Sequence, residues 1–508
     1  MLSIFVTAEV RSSIQHIIQS EDRLSELLSV HDSSEKTPES NSNSIIIDAR
    51  GIILPIDWEN TSPPYLLSKP LKLTKEVLLA LIFNQLQNTE KAWSYLNEEK
   101  LLKFDLGIMN RLQHGYQIDL GEFPAMLQLL NKQDVFDQYR IQHNAGVVRH
   151  YGYLAESIPI QEVQQYYQQA LEIAPNQEYK AFTAKCLASL LLDAGDLVGA
   201  EDILQTHIPE AISEEAKYGL TSVLCSVWMQ QLTVPYDPAL LERLKDSMWE
   251  TLQFLEKNKR KAEAGLLYLD AAHIANISEN FSESLGYVSK AIRFFEEEEL
   301  AELVGNAQLR KGTLLYTWAQ NDNPQFYKPA VEAFQQALKV FRQDVTPNVF
   351  ADIHHSLAIL YAEMPAENRK RGVWAGVSSA SFQEALNYYT KETYPYEYGM
   401  ICNNYGNALT KFPLAIHSDN YQKALDYYRE ALSVRSTNYP YERAISLLNF
   451  LEASWNVSNS NDEFNEDRYK DMRAKAEEVQ QLIDDEDMMA ESQKHLDMLD
   501  TLKQTVSK

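Results

Sequence analysis

Two neighbouring stretches decide the fold class of this chain: residues 394–409, YPYEYGMICNNYGNAL, and residues 420–432, NYQKALDYYREAL. Both have the apolar spacing of amphipathic helices. The first carries a small residue, Gly406, in the middle of its apolar stripe. The second carries a small–aromatic–small triad, Ala424, Tyr428 and Ala431. Small residues on facing stripes let two helices cross closely, so the sequence predicts a tightly packed helix pair.

The same arrangement recurs upstream with a long period. The triad appears as Ala330, Phe334 and Ala337, as Ser378, Phe382 and Ala385, and in residues 424–431, with first members 48 and 46 residues apart. A small residue precedes each triad at Gly312, Ala358 and Gly406, and a proline follows at Pro347, Pro395 and Pro440. A shorter unit occupies residues 181–204, and residues 144–175 and 265–291 match in part. We infer an array of helix pairs.

The matched positions resemble the tetratricopeptide repeat (TPR), in which a large–small–large helix A is followed by a small–large–small helix B. The resemblance implies an all-α, right-handed superhelical α-solenoid whose helices A line a groove. The longer C-terminal units with Tyr-Pro pairs resemble bacterial repeats found beside signalling or CHAT-type peptidase domains. We recognise no such catalytic domain in this sequence.

Four regions are predicted. Residues 1–72 form an N-terminal appendage, with an amphipathic helix in 1–30, a flexible linker at 31–44 and a β-hairpin at 45–54, the one convincing strand signal. Residues 73–143 are helical, with Thr74 as an N-cap. Residues 144–457 form the repeat array, and residues 458–508 form an acidic capping helix. The linker would let residues 1–70 reach back to the groove.

The amino-acid composition limits the classes of function that we expect. The 508 residues carry a net charge of −26, and an excess of acidic groups repels nucleic acid and anionic membranes. Three cysteines and no long apolar run favour a cytoplasmic protein. The sequence lacks phosphate-binding glycine motifs and closely spaced metal ligands, so we expect no cofactor, no metal and no enzymatic activity.

The first candidate site is the helix-A face of the repeats. Met400, Asn403, Asn407 and Thr410 share one face of a helix, with Lys411 beside them. The resemblance implies that this face lines the groove, together with His355, Arg310 and Tyr316 on the preceding helices A. Asparagine both donates to and accepts from a peptide backbone, which suits binding of an extended partner. The alternative is that these residues are merely solvated.

The second candidate site is the stretch NRKRGVWAG at residues 368–376. Arg369, Lys370 and Arg371 are a local excess of positive charge, and Trp374 is predicted to lie in a loop between two glycines. Trp and Arg are frequent anchors of protein interfaces. The alternative is that Trp374 packs on its own repeat while the cations pair with the acidic surface.

These features predict a non-catalytic scaffold or adaptor that binds a partner peptide or helix in the groove. Three alternatives remain open: a regulatory sensor of a small ligand, a subunit that controls an effector such as a peptidase, and an enzyme without a recognisable motif.

Overall fold

The computed structural model describes residues 2–33, 44–59, 63–130, 134–321, 323–365, 368–413, 419–457 and 464–506. The chain divides into two compact units, residues 1–270 (unit 1) and residues 271–508 (unit 2).

Unit 1 begins with a small sheet. Its strands are β1 (Leu2–Val6), β2 (Leu28–Asp32), β3 (Ser44–Asp48) and β4 (Gly51–Ile53), in the order β2-β1-β3-β4. Strand β1 pairs in parallel with β2 and β3, and β3 and β4 form an antiparallel hairpin. The hairpin predicted at 45–54 is therefore present.

The prediction of a helix throughout residues 1–30 is wrong. Only Ala8–Gln19 is an α-helix (α1), and it connects two parallel strands. Ile4, Phe5 and Val6 are fully buried in succession, as in a strand with both faces covered. Of the predicted linker, residues 31 and 32 belong to β2 and residue 44 to β3, whereas 34–43 lie outside the described residues.

The rest of unit 1 is helical. Its helices are α2 (Lys75–Gln85), α3 (Thr89–Tyr95), α4 (Lys100–His114), α5 (Phe123–Leu127), α6 (Val135–Tyr151), α7 (Ile160–Ile173), α8 (Gln177–Asp193), α9 (Leu197–His207), α10 (Glu214–Gln231), α11 (Pro238–Lys257) and the beginning of α12 (Lys261–Ile277). The hydroxyl of Thr74 accepts a hydrogen bond from the Val77 amide, so the predicted N-cap of α2 is confirmed.

Unit 2 continues as helices alone in the described residues. They are the end of α12, α13 (Phe281–Glu297), α14 (Ala301–Gln320), α15 (Tyr327–Ala337), α16 (Pro347–Glu363), α17 (Asn368–Tyr388), α18 (Pro395–Lys411), α19 (Asn420–Val434), α20 (Pro440–Ser454), α21 (Glu466–Leu482) and α22 (Glu486–Val506). The three prolines of the repeat each start a helix, where the missing N–H costs nothing.

One contact recurs in both units and fixes the repeat register. A Cβ atom on Gly146 of α6 would lie 2.8 Å from the ring of Tyr167 on α7. A Cβ atom on Gly312 of α14 would lie 2.9 Å from the ring of Phe334, and Gly406 meets Tyr428 in the same way. The small residue of helix A thus accepts the aromatic ring of helix B. The predicted all-α, TPR-like α-solenoid is confirmed, with a small N-terminal sheet.

The C-terminal region differs from the single capping helix that we expected. It contains two helices, α21 and α22, which pack on each other through buried residues such as Val479 and Leu499. Asp485 interrupts the helix because its carboxylate accepts from the Met488 amide and caps the start of α22. No helix in the described parts of the chain is long and apolar enough to cross a membrane.

Candidate functional site: the helix-A faces

The helix-A face is the exposed side of the first helix in each pair: α6, α8, α10 and α12, then α14, α16, α18 and α20. In unit 2 its predicted centre, Asn403, is only 4% exposed. The Asn403 Oδ1 atom accepts from Ser446 Oγ at 3.0 Å and from Asn449 Nδ2 at 3.1 Å, both on α20. Asn403 therefore joins two successive helices A rather than facing solvent.

Asn407, one turn further along α18, is half-buried and differs from Asn403. Its Oδ1 atom accepts from the Tyr428 hydroxyl at 2.7 Å. Its Nδ2 group has no hydrogen-bond partner within the described residues. Met400 is half-buried on the same helix, and the Thr410 hydroxyl donates to the Asn407 carbonyl at 2.8 Å. Asn407 thus keeps a free donor.

Three helices A of unit 2 are joined by one polar chain. Glu363 of α16 accepts from the Tyr316 hydroxyl of α14 at 2.9 Å and from the Lys411 ammonium of α18 at 2.8 Å. The Lys411 side chain is still 49% exposed. Burial, together with Glu363, raises the pKa of Tyr316, so this hydroxyl remains a donor. The structure therefore joins two predicted residues, Tyr316 and Lys411, in one row through Glu363, which the sequence analysis did not single out.

The other two predicted residues of this face lie further from the row. His355 of α16 is half-buried, and its Nε2 atom lies 3.1 Å from Asn404 Nδ2. Burial lowers the pKa of His355 to about 4, so the ring is neutral at pH 7 and Nε2 accepts from the amide. Arg310 of α14 is exposed.

The basic stretch at 368–376 is not a loop, and that prediction is wrong. These residues form the first turns of α17, where Gly372 and Gly376 face open space. The Trp374 ring stacks on Tyr361 of α16, with ring centroids 5.3 Å apart. The aromatic contact stabilises a helix that glycines alone would weaken.

The cations of this stretch have separate surroundings. Arg371 donates to the Lys411 carbonyl at 3.3 Å, and Lys370 is exposed. Arg369 lies in α17, but its side chain is outside the described part of the structure.

In unit 1, a segment of the chain itself packs on the helix-A face. The segment between β4 and α2 crosses this face without forming a helix or a strand, and we call its described residues, 54–59 and 63–70, the strap. Asn144 of α6 holds the strap by a reciprocal pair of hydrogen bonds. Its Oδ1 accepts from the Leu66 amide and its Nδ2 donates to the Leu66 carbonyl, both at 2.8 Å. The neighbouring His143 contacts the Pro64 carbonyl at 2.9 Å through Nε2.

A tryptophan anchors the other end of the strap. Trp58 is 2% exposed and packs edge-to-face on Phe182 of α8, with centroids 5.2 Å apart. Its indole N–H donates to Glu178 at 3.0 Å, and a Cβ on Gly219 of α10 would lie 2.8 Å from the ring. The Trp58 carbonyl accepts from Arg260, just before α12, at 2.6 Å. The strap therefore touches four successive helix-A positions.

A buried ion pair supports the middle of the strap. Arg140 of α6 and Asp105 of α4 are each 2% exposed and lie 3.1 Å apart. The Tyr65 hydroxyl donates to Asp105 at 2.7 Å, and Arg140 also reaches the Leu66 carbonyl at 3.4 Å. Sequence reasoning missed these residues, although Asn144 lies where the repeat pattern begins.

Two observations concern metal-binding and cysteine chemistry. Within the residues described, no three His, Cys, Asp or Glu side chains lie close enough together to hold a metal ion. Burial raises the pKa of Cys186, Cys225 and Cys402 to about 12, which opposes formation of a thiolate nucleophile.

Comparisons with known proteins give structural similarity only. No protein-family model matches the chain, and no curated protein matches it. A signal transduction ATPase with numerous domains and a tetratricopeptide repeat sensor, from Pyrococcus horikoshii, is 12% identical with a TM-score of 0.44; the match covers 99% of this chain and 77% of that one.

Two further structures are less similar overall. The human IFIT1 dimer with m7Gppp-AAAA is 12% identical with a TM-score of 0.38, covering 85% of this chain and 92% of that one. The P58(IPK) TPR domain is 14% identical with a TM-score of 0.21, covering 81% and 99%.

Proposed function

We propose that this protein is a non-catalytic scaffold or adaptor that binds an extended segment of a partner protein along the helix-A face of unit 2. The observation that carries this proposal is the strap of unit 1. The reciprocal hydrogen bonds between Asn144 and Leu66 are the contact that an asparagine makes with a bound peptide backbone. The fold therefore already holds a polypeptide segment outside helix and strand on one such face.

The repeat register relates the two faces. His143 and Asn144 lie three and two residues before Gly146, and Asn403 and Asn404 lie three and two residues before Gly406. Unit 2 thus carries asparagines at the corresponding turn. These two bond to neighbouring side chains, and Asn407, one turn further along α18, is the asparagine whose donor remains available. Among the described residues of unit 2, no segment comparable to the strap lies on α14, α16 and α18.

The side chains that remain available define the proposed contact. Asn407 offers an N–H donor to a partner carbonyl, and Lys411 and Arg310 offer charged donors. Met400 adds apolar contact. The row of Tyr316, Glu363 and Lys411 is already ordered, so binding costs little additional side-chain entropy. The basic helix start, Lys370, Arg371 and Trp374, borders this row through the bond between Arg371 and the Lys411 carbonyl.

The finer features of the partner are also proposals. With a net charge of −26, the protein associates faster with a segment flanked by basic residues, and neither nucleic acid nor a membrane is the expected partner. A cytoplasmic location fits this interpretation. Control of an effector such as a peptidase is the alternative for the same face, with the effector as the partner.

Site-specific photo-crosslinking in native lysate tests the proposal. Benzoylphenylalanine replaces Thr313, exposed on the helix-A face of α14, or, as a matched control, Lys423, exposed on helix B α19. We expect one protein to crosslink through a contiguous peptide from position 313 and not from 423. Crosslinking from 423 alone, or equally from both positions, would contradict the proposal.

A second variant separates recognition from folding. Asn407→Asp keeps an oxygen that accepts from Tyr428 but removes the free N–H donor. We expect crosslinking from position 313 to fall about fivefold, the effect of one lost hydrogen bond, with an unchanged thermal melt. Unchanged crosslinking would show that Asn407 does not contact the partner.

A further inference from the structure

Unit 1 contains a cavity of about 720 Å³ next to the strap. It lies among the strap, the end of α2, the second half of α4 and the first residues of α6 and α8. Ligand sites for small molecules fall in the range of roughly 300–1,000 Å³. The cavity therefore has the size of a binding site, and it is separate from the face proposed above for the partner protein.

The floor of the cavity is apolar. Leu81 of α2 and Leu106 of α4 are buried, and Met109, one turn along α4, is half-buried. Leu54 and Leu67 of the strap complete this surface. Such a floor favours a ligand with an apolar body, because burial of apolar area is the main gain in binding.

The wall of the cavity includes a group of carboxamide side chains from two helices. Asn84 and Gln85 lie at the end of α2, and Asn110 and Gln113 lie on α4. Within the described residues, the side-chain amides of Asn84, Gln85 and Gln113 have no hydrogen-bond partner. Each carboxamide offers donors and acceptors together, so the wall matches amide and carbonyl groups of a ligand.

Formal charge contributes little to this wall. Arg50 is paired with Asp48 at 2.7 Å, and Lys69 and Asp57 have opposite signs. Apart from the paired Arg50, the lining carries one cation and one anion, so it has no net charge to offset the hydration that a charged ligand would lose. An uncharged ligand loses less hydration free energy when it enters the cavity.

We infer that this cavity binds an uncharged small molecule of peptide-like chemistry, with an apolar body and amide groups. The apolar body lies on Leu81, Leu106 and Met109, and the amide groups bond to Asn84, Gln85 and Gln113. Because the strap forms one wall, the ligand contacts the segment that occupies the helix-A face of unit 1. This gives the sensor alternative a defined site.

Calorimetric titration of the full chain with three related probes tests the inference. The neutral probe is N-acetyl-leucyl-leucine N-methylamide, and its free-acid and free-amine analogues carry one charge each. We expect the neutral probe to bind at least about tenfold more tightly than either analogue. Absence of binding at millimolar concentration, or equal binding of a charged analogue, would overturn the inference.

Two substitutions locate the site. Met109→Trp fills the cavity, whereas Lys103→Trp, on the same helix outside the cavity lining, is the matched control. We expect the first to weaken binding of the neutral probe at least about tenfold and the second to leave it unchanged.

Gln85→Leu preserves volume near the wall and is expected to weaken binding about fivefold. It serves as the reference if Met109→Trp fails to fold. Wild-type affinity in both folded variants, or in Gln85→Leu alone where Met109→Trp does not fold, would refute this location.

Discussion

His143 in unit 1 and Asn403 in unit 2 occupy the same place in the repeat, three residues before the helix-A glycine, yet they do different work. Both are buried. His143 connects the Thr183 hydroxyl to the strap carbonyl of Pro64. Asn403 instead accepts from Ser446 and Asn449 of the next helix A. The side chain at this position therefore hydrogen-bonds to the element that packs over it. That element is the strap in unit 1 and the next helix A in unit 2.

The largest predicted effect tests how firmly the strap is built in. Asp105→Ala leaves the buried Arg140 guanidinium with one counter-charge, Asp137 at 2.8 Å, instead of two, and loss of one member of a buried pair costs about 3–5 kcal/mol. Native-state hydrogen exchange read by mass spectrometry should show this loss in α4, α6 and the strap, with unit 2 peptides as internal control.

A double variant distinguishes charge from packing. Asp105→Leu with Arg140→Met removes both fully buried charges and leaves Asp137, which is partly exposed to solvent, so it should recover most of the stability lost in Asp105→Ala. If the double variant is as unstable as the single one, the ion pair is not what supports the strap.

The second prediction concerns the pH dependence of stability, which tests the role of His143 in unit 1. Burial lowers the pKa of His143 to about 4, below the ordinary value of 6.5, so its neutral form is favoured in the fold. Between pH 6.5 and pH 4 the unfolded chain binds the proton more strongly, and stability falls as the pH falls. The loss attributable to this group approaches about 3 kcal/mol at pH 4.

His143→Gln retains a donor for Pro64 but does not titrate in this range. The difference in urea midpoint between pH 7 and pH 5 should be smaller in this variant than in the wild type. An identical pH dependence in both proteins would assign the acid sensitivity to other groups, of which His355 in unit 2 is the first to examine, since burial also lowers its pKa to about 4.

The third prediction concerns unit 2 alone. Asn403→Ala leaves the Ser446 hydroxyl and the Asn449 amide without their shared acceptor, which costs about 1–3 kcal/mol for buried groups. Faster hydrogen exchange should appear in α18 and α20, and the strap of unit 1 should be unaffected. Unchanged exchange in α20 would show that Asn403 does not connect these helices.

The repeat register was predictable because it depends on local spacing. A small residue such as Gly406 and an aromatic residue such as Tyr428 must face each other wherever two helices cross closely, so the pattern is visible in one sequence. The helix at residues 368–376 was not predictable, because Gly372 and Gly376 are typical of a loop. The stacking of Trp374 on Tyr361, which favours the helix, is a tertiary contact.

The strap was not predictable from local pattern. Its proline-containing chain has no helical or strand periodicity, and Trp58 contacts Arg260, which lies 202 residues later in the sequence. The linker prediction allowed such a return without locating it. Likewise, the face of α18 was predicted, but the burial of Asn403 depends on how α20 packs against it. Which segment packs over a helix face depends on the tertiary structure and is not visible in the local sequence pattern.

The smallest expected effect on stability comes from Asn407→Asp, and it separates the two faces most directly. The Asp carboxylate still accepts from Tyr428, so the free energy of unfolding should change by less than about 1 kcal/mol. The same substitution at the residue that holds the strap in unit 1, Asn144→Asp, removes the donor to the Leu66 carbonyl and places a charge in a buried site, so it should cost more, about 1–3 kcal/mol. Thermal melts of the two variants decide the matter. Equal losses would mean that the face of unit 2 is as fully occupied as that of unit 1, whereas a loss confined to Asn144→Asp leaves Asn407 available to a partner.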